Sequence, residues 1–224
     1  MISKSRTPDC DVDDQLQAFF DESNKPARDP KTGQVSGTGN HYAVGAAVIL
    51  KGDQERTRRA LEEIRADLGY ELHYSDLSQA RRRDLIDAIL GIATWDGYLF
   101  ETAKPLDLSG KREHRTRSRV VGQALKTLSI DVGVCNIVLE SRSKPAAGFV
   151  KLDDNDHKTF QKLRGRQEVS PDLRVRHGTK DEPLLWIADL LAGVRTDWLC
   201  NTNSRALFPL VAHRIQSIVQ VPSH

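Results

Sequence analysis

Residues 16–23 read LQAFFDES, and this stretch decides the fold class. Its first five residues form a short, mainly apolar run typical of a buried β-strand, and the run stops at the carboxylates of Asp21 and Glu22. A second apolar run, HYAVGAAVIL at residues 41–50, predicts a central strand because both of its faces are apolar. Residues 24–40 hold several prolines and glycines, so we expect a long flexible loop there and an antiparallel hairpin between the two strands.

Downstream of the hairpin, helical and strand patterns alternate. Apolar residues at intervals of three and four predict amphipathic helices, and compact apolar runs predict strands. The predicted order β-β-α-α-β-α-β-α-β-α-α is an α/β pattern with an antiparallel start. The predicted helices span residues 54–68, 79–90, 111–128, 184–199 and 206–219, the further strands span 92–101, 130–140 and 173–177, and 153–164 forms a short helix or an irregular segment.

The sequence predicts a single domain. Residues 1–14 are polar and predict an N-terminal tail. No linker divides residues 15–221 into halves with separate cores, and the helical patterns at about 53–90 predict an insertion within this single domain.

The composition indicates a folded protein with a heavily charged surface. Of the 224 residues, 38% are apolar and 29% charged, and the formal net charge is only +2, which excludes a histone-like tail or a strongly acidic protein. Three widely spaced cysteines, Cys10, Cys135 and Cys200, fit neither a disulfide framework nor a zinc site. No apolar segment has the length of a secretory signal or the ~18 residues of a membrane span. We therefore expect a cytoplasmic protein without a membrane partner.

Carboxylates occur at three places where chemistry is expected. Asp21 and Glu22 end the first strand, Glu140 ends the fourth, and Asp189 interrupts the most apolar helix in the sequence IADLL. An unpaired carboxylate in apolar surroundings is costly unless it is neutralised or binds a cation. Sites in open α/β sheets form at the carboxyl ends of strands, so Asp21 and Glu140 face each other if their strands are neighbours. Hard oxygen ligands from these residues and Asp189 would favour Mg²⁺ or Mn²⁺.

Each of these carboxylates also has an ordinary structural explanation. An acid after a strand is usually a turn or cap residue. A surface ion pair would contribute only about 0–1 kcal/mol and would need no function. The alternative partners are Arg142 or Lys144 for Glu140 and Arg174 or Arg195 for Asp189.

Three motifs in order resemble the domain-of-unknown-function 3800 family. They are FFDES at 19–23, Glu71-Leu72-His73 before a Ser/Asp-rich helix start, and LLWIADLL at 184–191, and the resemblance covers about residues 16–199. Asn24 stands where that family usually has glycine, although asparagine also tolerates the left-handed conformation.

The resemblance implies a ribonuclease H-like fold, with a mixed sheet of about five strands in which the first and fourth strands are adjacent. It implies a divalent metal, Mg²⁺ or Mn²⁺, and hydrolysis of phosphodiester bonds in DNA or RNA. The implied ligands are Asp21, Glu140 and Asp189, with Glu22 beside them. Glu71 would be a further acid, and His73 a substrate contact or proton shuttle. The alternative for His73 is a partly buried imidazole that bonds to the backbone.

Basic residues cluster at the start of one predicted helix. Residues 111–119 hold five Lys or Arg and one acid, so we expect this run to contact the phosphates of a nucleic acid. A solvated helix face is the alternative. Two other functions stay open: a catalytically inactive nucleic-acid- or protein-binding module, and an enzyme on another phosphoryl substrate. The predicted contacts are Lys111, Arg112, Arg115, Arg117 and Arg119.

Overall fold

The structure is a computed structural model that describes residues 15–29, 32, 34–106, 111–141 and 152–222, without the side chains of 36–38, 111 and 152. The predicted tail at 1–14 lies outside the described residues. Six strands form one mixed sheet in the order β5-β4-β1-β2-β3-β6. The strands are β1 Leu16–Arg28, β2 Val35–Leu50, β3 Trp95–Thr102, β4 Asn136–Glu140, β5 Arg174–Gly178 and β6 Ile215–Val221.

Helices flank both faces of the sheet, and α1 and α2 follow β2 where the helical insertion was predicted. None of the described helices is both long and apolar enough to cross a bilayer. The helices are α1 Gln54–Leu68, α2 Gln79–Leu90, α3 Lys111–Thr127, α4 Leu152–Gly165, α5 Pro183–Leu199 and the short α6 Phe208–Val211.

The predicted α/β class and mixed sheet with flanking helices are confirmed, with six strands rather than about five. β1 pairs antiparallel with β2 and parallel with β4, so the first and fourth strands are neighbours. Alternation along β1 sends Phe19 to the core beneath α1, α2 and α5, and Phe20 to the core beneath α3. Burial on both faces explains why the central strands are apolar throughout.

The predicted end of the first strand is wrong, and so is the long loop at 24–40. β1 continues through Asp21 to Arg28 and keeps its pairing with β2, with Ser23 opposite Ala43. The parallel pairing with β4 covers only residues 17–20, so β1 has one described neighbour strand beyond that point. A proline such as Pro26 is tolerated there, because no second strand needs its missing N–H group.

The predicted last helix at 206–219 is also wrong. Only a short helical stretch forms before β6, which pairs parallel with β3 at the edge of the sheet. The sequence IQSIVQV alternates half-buried and exposed side chains along β6. Four of its seven residues are β-branched, and such residues favour a strand over a helix.

Candidate functional site

Two buried carboxylates meet at the carboxyl ends of neighbouring parallel strands. The register pairs Phe20 of β1 with Leu139 of β4, and Asp21 and Glu140 are the next residues on each strand. The two residues are 9% and 7% exposed. Both line one cavity of about 10 Å³, which is close to the smallest space that holds a single water molecule. Asp21 and Glu140 therefore lie next to each other at this edge of the sheet, as their predicted strand adjacency implies.

A third carboxylate, Glu22, lines the same cavity and is held by an arginine. Arg117 of α3 donates from Nε to both carboxylate oxygens of Glu22, at 2.8 and 2.9 Å. Its Nη1 pairs with the fully buried Asp156 of α4. Burial alone would lower the pKa of Arg117, but the two carboxylates outweigh it and raise that pKa above its ordinary value.

Arg117 therefore does not fit its predicted role as a nucleic-acid contact. It is only 6% exposed, and its guanidinium binds two carboxylates of the protein itself. The other predicted contacts with described side chains, Arg112, Arg115 and Arg119, are exposed on α3. The side chain of Lys111 is not among those that the structure describes.

Asp21 and Glu140 also have polar neighbours. The backbone N–H of Glu22 donates to Asp21 Oδ1 at 2.7 Å. The Lys180 ammonium lies 3.6 Å from Glu140 Oε1, and this lysine is largely exposed, so the pair resembles a surface ion pair of small stabilisation. The alternative partners predicted for Glu140, Arg142 and Lys144, lie outside the described residues.

Asp189 belongs to a different set of contacts. Its Oδ2 accepts a hydrogen bond from the backbone N–H of Tyr74 at 2.8 Å and lies 3.8 Å from Nδ1 of His73. Asp189 raises the pKa of His73 above its ordinary value, although burial opposes the shift. Arg195, one predicted partner of Asp189, instead forms a two-point ion pair with Glu101 at 2.6 and 2.9 Å.

The helix that carries Asp189 crosses the sheet next to Asp21. Gly45 faces Asp21 in the β1–β2 register, and a Cβ on Gly45 would clash with the Ala188 carbonyl oxygen of α5. Close backbone approach therefore places this helix over the carboxylate edge. Glu71, the predicted accessory acid, is 73% exposed and lies 3.8 Å from Arg65.

A cluster that the sequence analysis missed adjoins Arg117. Asp153 and Asp156 of α4 and His177 of β5 place one ligand atom each within 4.8 Å of one another. His177 Nε2 lies 3.3 Å from Asp156 Oδ2, and Ser141 Oγ donates to Asp153 at 2.7 Å. Within the described parts of the chain no other group of three such residues meets this criterion, and Asp21, Glu140 and Asp189 do not.

Comparisons with known proteins identify structural neighbours only. No family model and no curated protein matches the chain, so the resemblance to the domain-of-unknown-function 3800 family stays a prediction. The chain is similar to the crystal structure of Bst-RNase HIII in complex with Mn²⁺, with a TM-score of 0.47 and 14% identity over 88% of this chain and 56% of that one. The Q54A mutant of Bst-RNase HIII gives a TM-score of 0.45 and 14% identity, over 92% of this chain and 62% of that one. The chain therefore covers less than two thirds of the length of both.

Proposed function

We propose that this protein is a divalent-metal-dependent nuclease that hydrolyses phosphodiester bonds in DNA or RNA. The observation that carries the proposal is the pair of buried carboxylates, Asp21 and Glu140, at the carboxyl ends of two neighbouring parallel strands. Two anionic oxygen donors at such a site suit a hard cation, Mg²⁺ or Mn²⁺. The predicted third ligand, Asp189, is engaged with Tyr74 and His73, and its ligation is a separate prediction.

The residues present fit such an ion. Asp21 and Glu140 would hold it, and the ion would supply a water of lowered pKa and charge stabilisation at the leaving oxygen. Glu22 is fixed by Arg117 beside the cavity, so its orientation is set by the protein alone. Arg117 also balances the negative charge of the neighbouring acids, which allows several carboxylates to lie close together.

His73 is the residue that we assign to proton transfer. Its Nδ1 faces Asp189, which leaves Nε2 as the atom that gives or takes a proton. The raised pKa keeps the imidazolium populated to a higher pH than in a free histidine. Asp189 therefore acts through His73, by orienting the ring and stabilising its charged form.

A second function is favoured by Arg117. Its guanidinium binds Glu22 and Asp156 and lines the same cavity as Asp21. This arrangement also describes a catalytically inactive nucleic-acid- or protein-binding module, in which an arginine takes the place of a metal ion.

Cleavage of labelled DNA and RNA with and without Mg²⁺ or Mn²⁺ distinguishes the two functions. We expect Asp21→Asn and Glu140→Gln each to lower the cleavage rate by about 100-fold or more while the circular dichroism spectrum stays unchanged. The matched controls are Asp131→Asn and Glu63→Gln, which change exposed acids. Full activity in both cavity variants would refute the metal site. No cleavage by the native chain, with no saturable heat at millimolar metal, would favour the binding module.

A further inference from the structure

A groove between α3 and α4 is lined by basic residues of α3 and of the segment 162–166. It encloses about 510 Å³, far more than the cavity at Asp21. Five of its lining residues are Lys or Arg, and Glu168 is its one acid among the described residues. The five cations are Arg115, Arg119, Lys126, Lys162 and Arg166.

Helical spacing aligns these cations along the groove. Arg115, Arg119, Gly122 and Lys126 follow one face of α3 at intervals of three and four residues. At Gly122 the two helices approach closely, because a Cβ there would lie 3.5 Å from Thr159 Cγ2 of α4. The groove therefore has a narrow floor with cations on both walls, and eleven residues at 1.5 Å each give it a length of about 16 Å.

The chemistry of the lining favours one class of ligand. A length of about 16 Å corresponds to about five base-pair rises of 3.4 Å along the axis of a duplex, so the groove suits more than one phosphate. Proteins that bind single strands stack bases on aromatic side chains, and the lining contains no Phe, Tyr or Trp.

The groove adjoins the carboxylate edge. Its lining residues Ser118 and Asn155 are the chain neighbours of Arg117 and Asp156, which form the ion pair beside the cavity. Glu168 pairs with Lys126 and lies 3.8 Å from Arg166, so it orients cations and cancels only part of their charge.

We propose that this α3–α4 groove binds the phosphate backbone of a nucleic-acid duplex without sequence readout. The proposal rests on the proposed function in that the duplex is the substrate of the carboxylate site. The cations that line this groove take over the contact that was predicted for Arg117.

Fluorescence anisotropy with a labelled duplex in EDTA tests the groove separately from hydrolysis. The test variant is Arg115→Gln, Lys162→Gln and Arg166→Gln combined, and the matched control is Arg56→Gln, Arg59→Gln and Arg83→Gln on α1 and α2; all six side chains are exposed. We expect the test variant to bind at least about tenfold more weakly and the slope of log K against log salt to fall by about 0.9 per lost contact. The control should bind like the native chain.

Several results would overturn the groove. The groove is refuted if both triple variants lose the same duplex affinity, or if the test variant loses none. It is also refuted if a single strand binds as tightly as the duplex or more tightly, or if the chain binds phosphatidylserine vesicles and not the duplex. A chain that binds the duplex through these three residues yet cleaves nothing with Mn²⁺ would support the groove and refute the nuclease. Cleavage that is lost in Asp21→Asn but unchanged in the triple variant would support the nuclease and refute the groove.

Discussion

Arg117 is the residue whose role differs most from its sequence context. The run from 111 to 119 shows a high density of positive charge but not which face of the helix each cation occupies. Arg117 precedes the buried Val120 and Val121 by three and four residues, so it shares their inward face. Helical spacing thus provided the signal that separates Arg117 from its exposed neighbours.

Replacing Arg117 by methionine should destabilise the protein by about 3–5 kcal/mol, because it leaves the buried carboxylates of Glu22 and Asp156 without their cation. Arg115→Met on the exposed face is the matched control, with an expected change within about 0.5 kcal/mol. Urea unfolding followed by circular dichroism measures both values. Equal stability of the two variants would show that the buried ion pairs are not formed.

His73 should titrate with a pKa above that of a free histidine, because Asp189 stabilises its imidazolium. Since the folded pKa exceeds the unfolded value of about 6.5, this contact stabilises the fold fully below that pH, and the effect fades as the pH rises through the folded pKa. NMR titration of the imidazole gives the pKa directly. In Asp189→Asn the pKa of His73 should fall, and an unchanged value would contradict the pairing.

At the residue scale, Asp21 and Glu140 could be predicted because the end of an apolar run is visible in the sequence. Strand adjacency then follows from the fold. The cluster of Asp153, Asp156 and His177 was missed because a basic context surrounds His177, and because its partners depend on how α4 packs on the sheet. Two acids three residues apart near the start of α4, Asp153 and Asp156, were the available signal.

Only part of the β1–β2 hairpin is recognisable from the sequence. Its apolar half is evident in the sequence, but its outer half is polar and contains proline and glycine. There the strands persist because their own pairing satisfies the backbone. β6 was mistaken for a helix for a related reason, since a short edge strand with half-buried residues gives a weak period.

Two glycines test how closely the helices approach their neighbours. Gly45→Ala should destabilise the protein by about 1–3 kcal/mol, because the new Cβ would clash with the carbonyl oxygen of Ala188 and lie 2.8 Å from the amide nitrogen of Ala192. Gly122→Ala should stabilise it by about 0.5–1 kcal/mol, because it lies within α3 and its Cβ would meet only ordinary contacts.

Thermal unfolding of both glycine variants against the native chain measures these effects. The two substitutions are chemically identical, so their opposite signs isolate the local packing. A tolerated Gly45→Ala would mean that α5 does not lie against β2 as closely as described, and the placement of that helix over the carboxylate edge would fail.

For the whole molecule, the proposed metal site and the proposed duplex groove lie on different elements. The carboxyl edge of the sheet holds Asp21 and Glu140, and the helices on one face carry the basic groove that leads toward that edge. The net charge of +2 does not reveal the groove, because acids elsewhere in the chain balance the basic run at 111–119.

Metal binding should therefore be visible as global stabilisation. A ligand present at 100 times its Kd stabilises the folded state by about 2.7 kcal/mol, so Mn²⁺ at saturating concentration should raise the Tm of the native chain. The double variant Asp21→Asn, Glu140→Gln should show no rise. An equal rise in both would place the stabilising ion elsewhere.

The most direct test of the account is a crystal soaked in Mn²⁺ and measured at a wavelength where manganese scatters anomalously. We predict an anomalous peak between the carboxylates of Asp21 and Glu140, at the carboxyl ends of β1 and β4. A peak confined to Asp153, Asp156 and His177, or no peak in a crystal with an accessible edge, would contradict it.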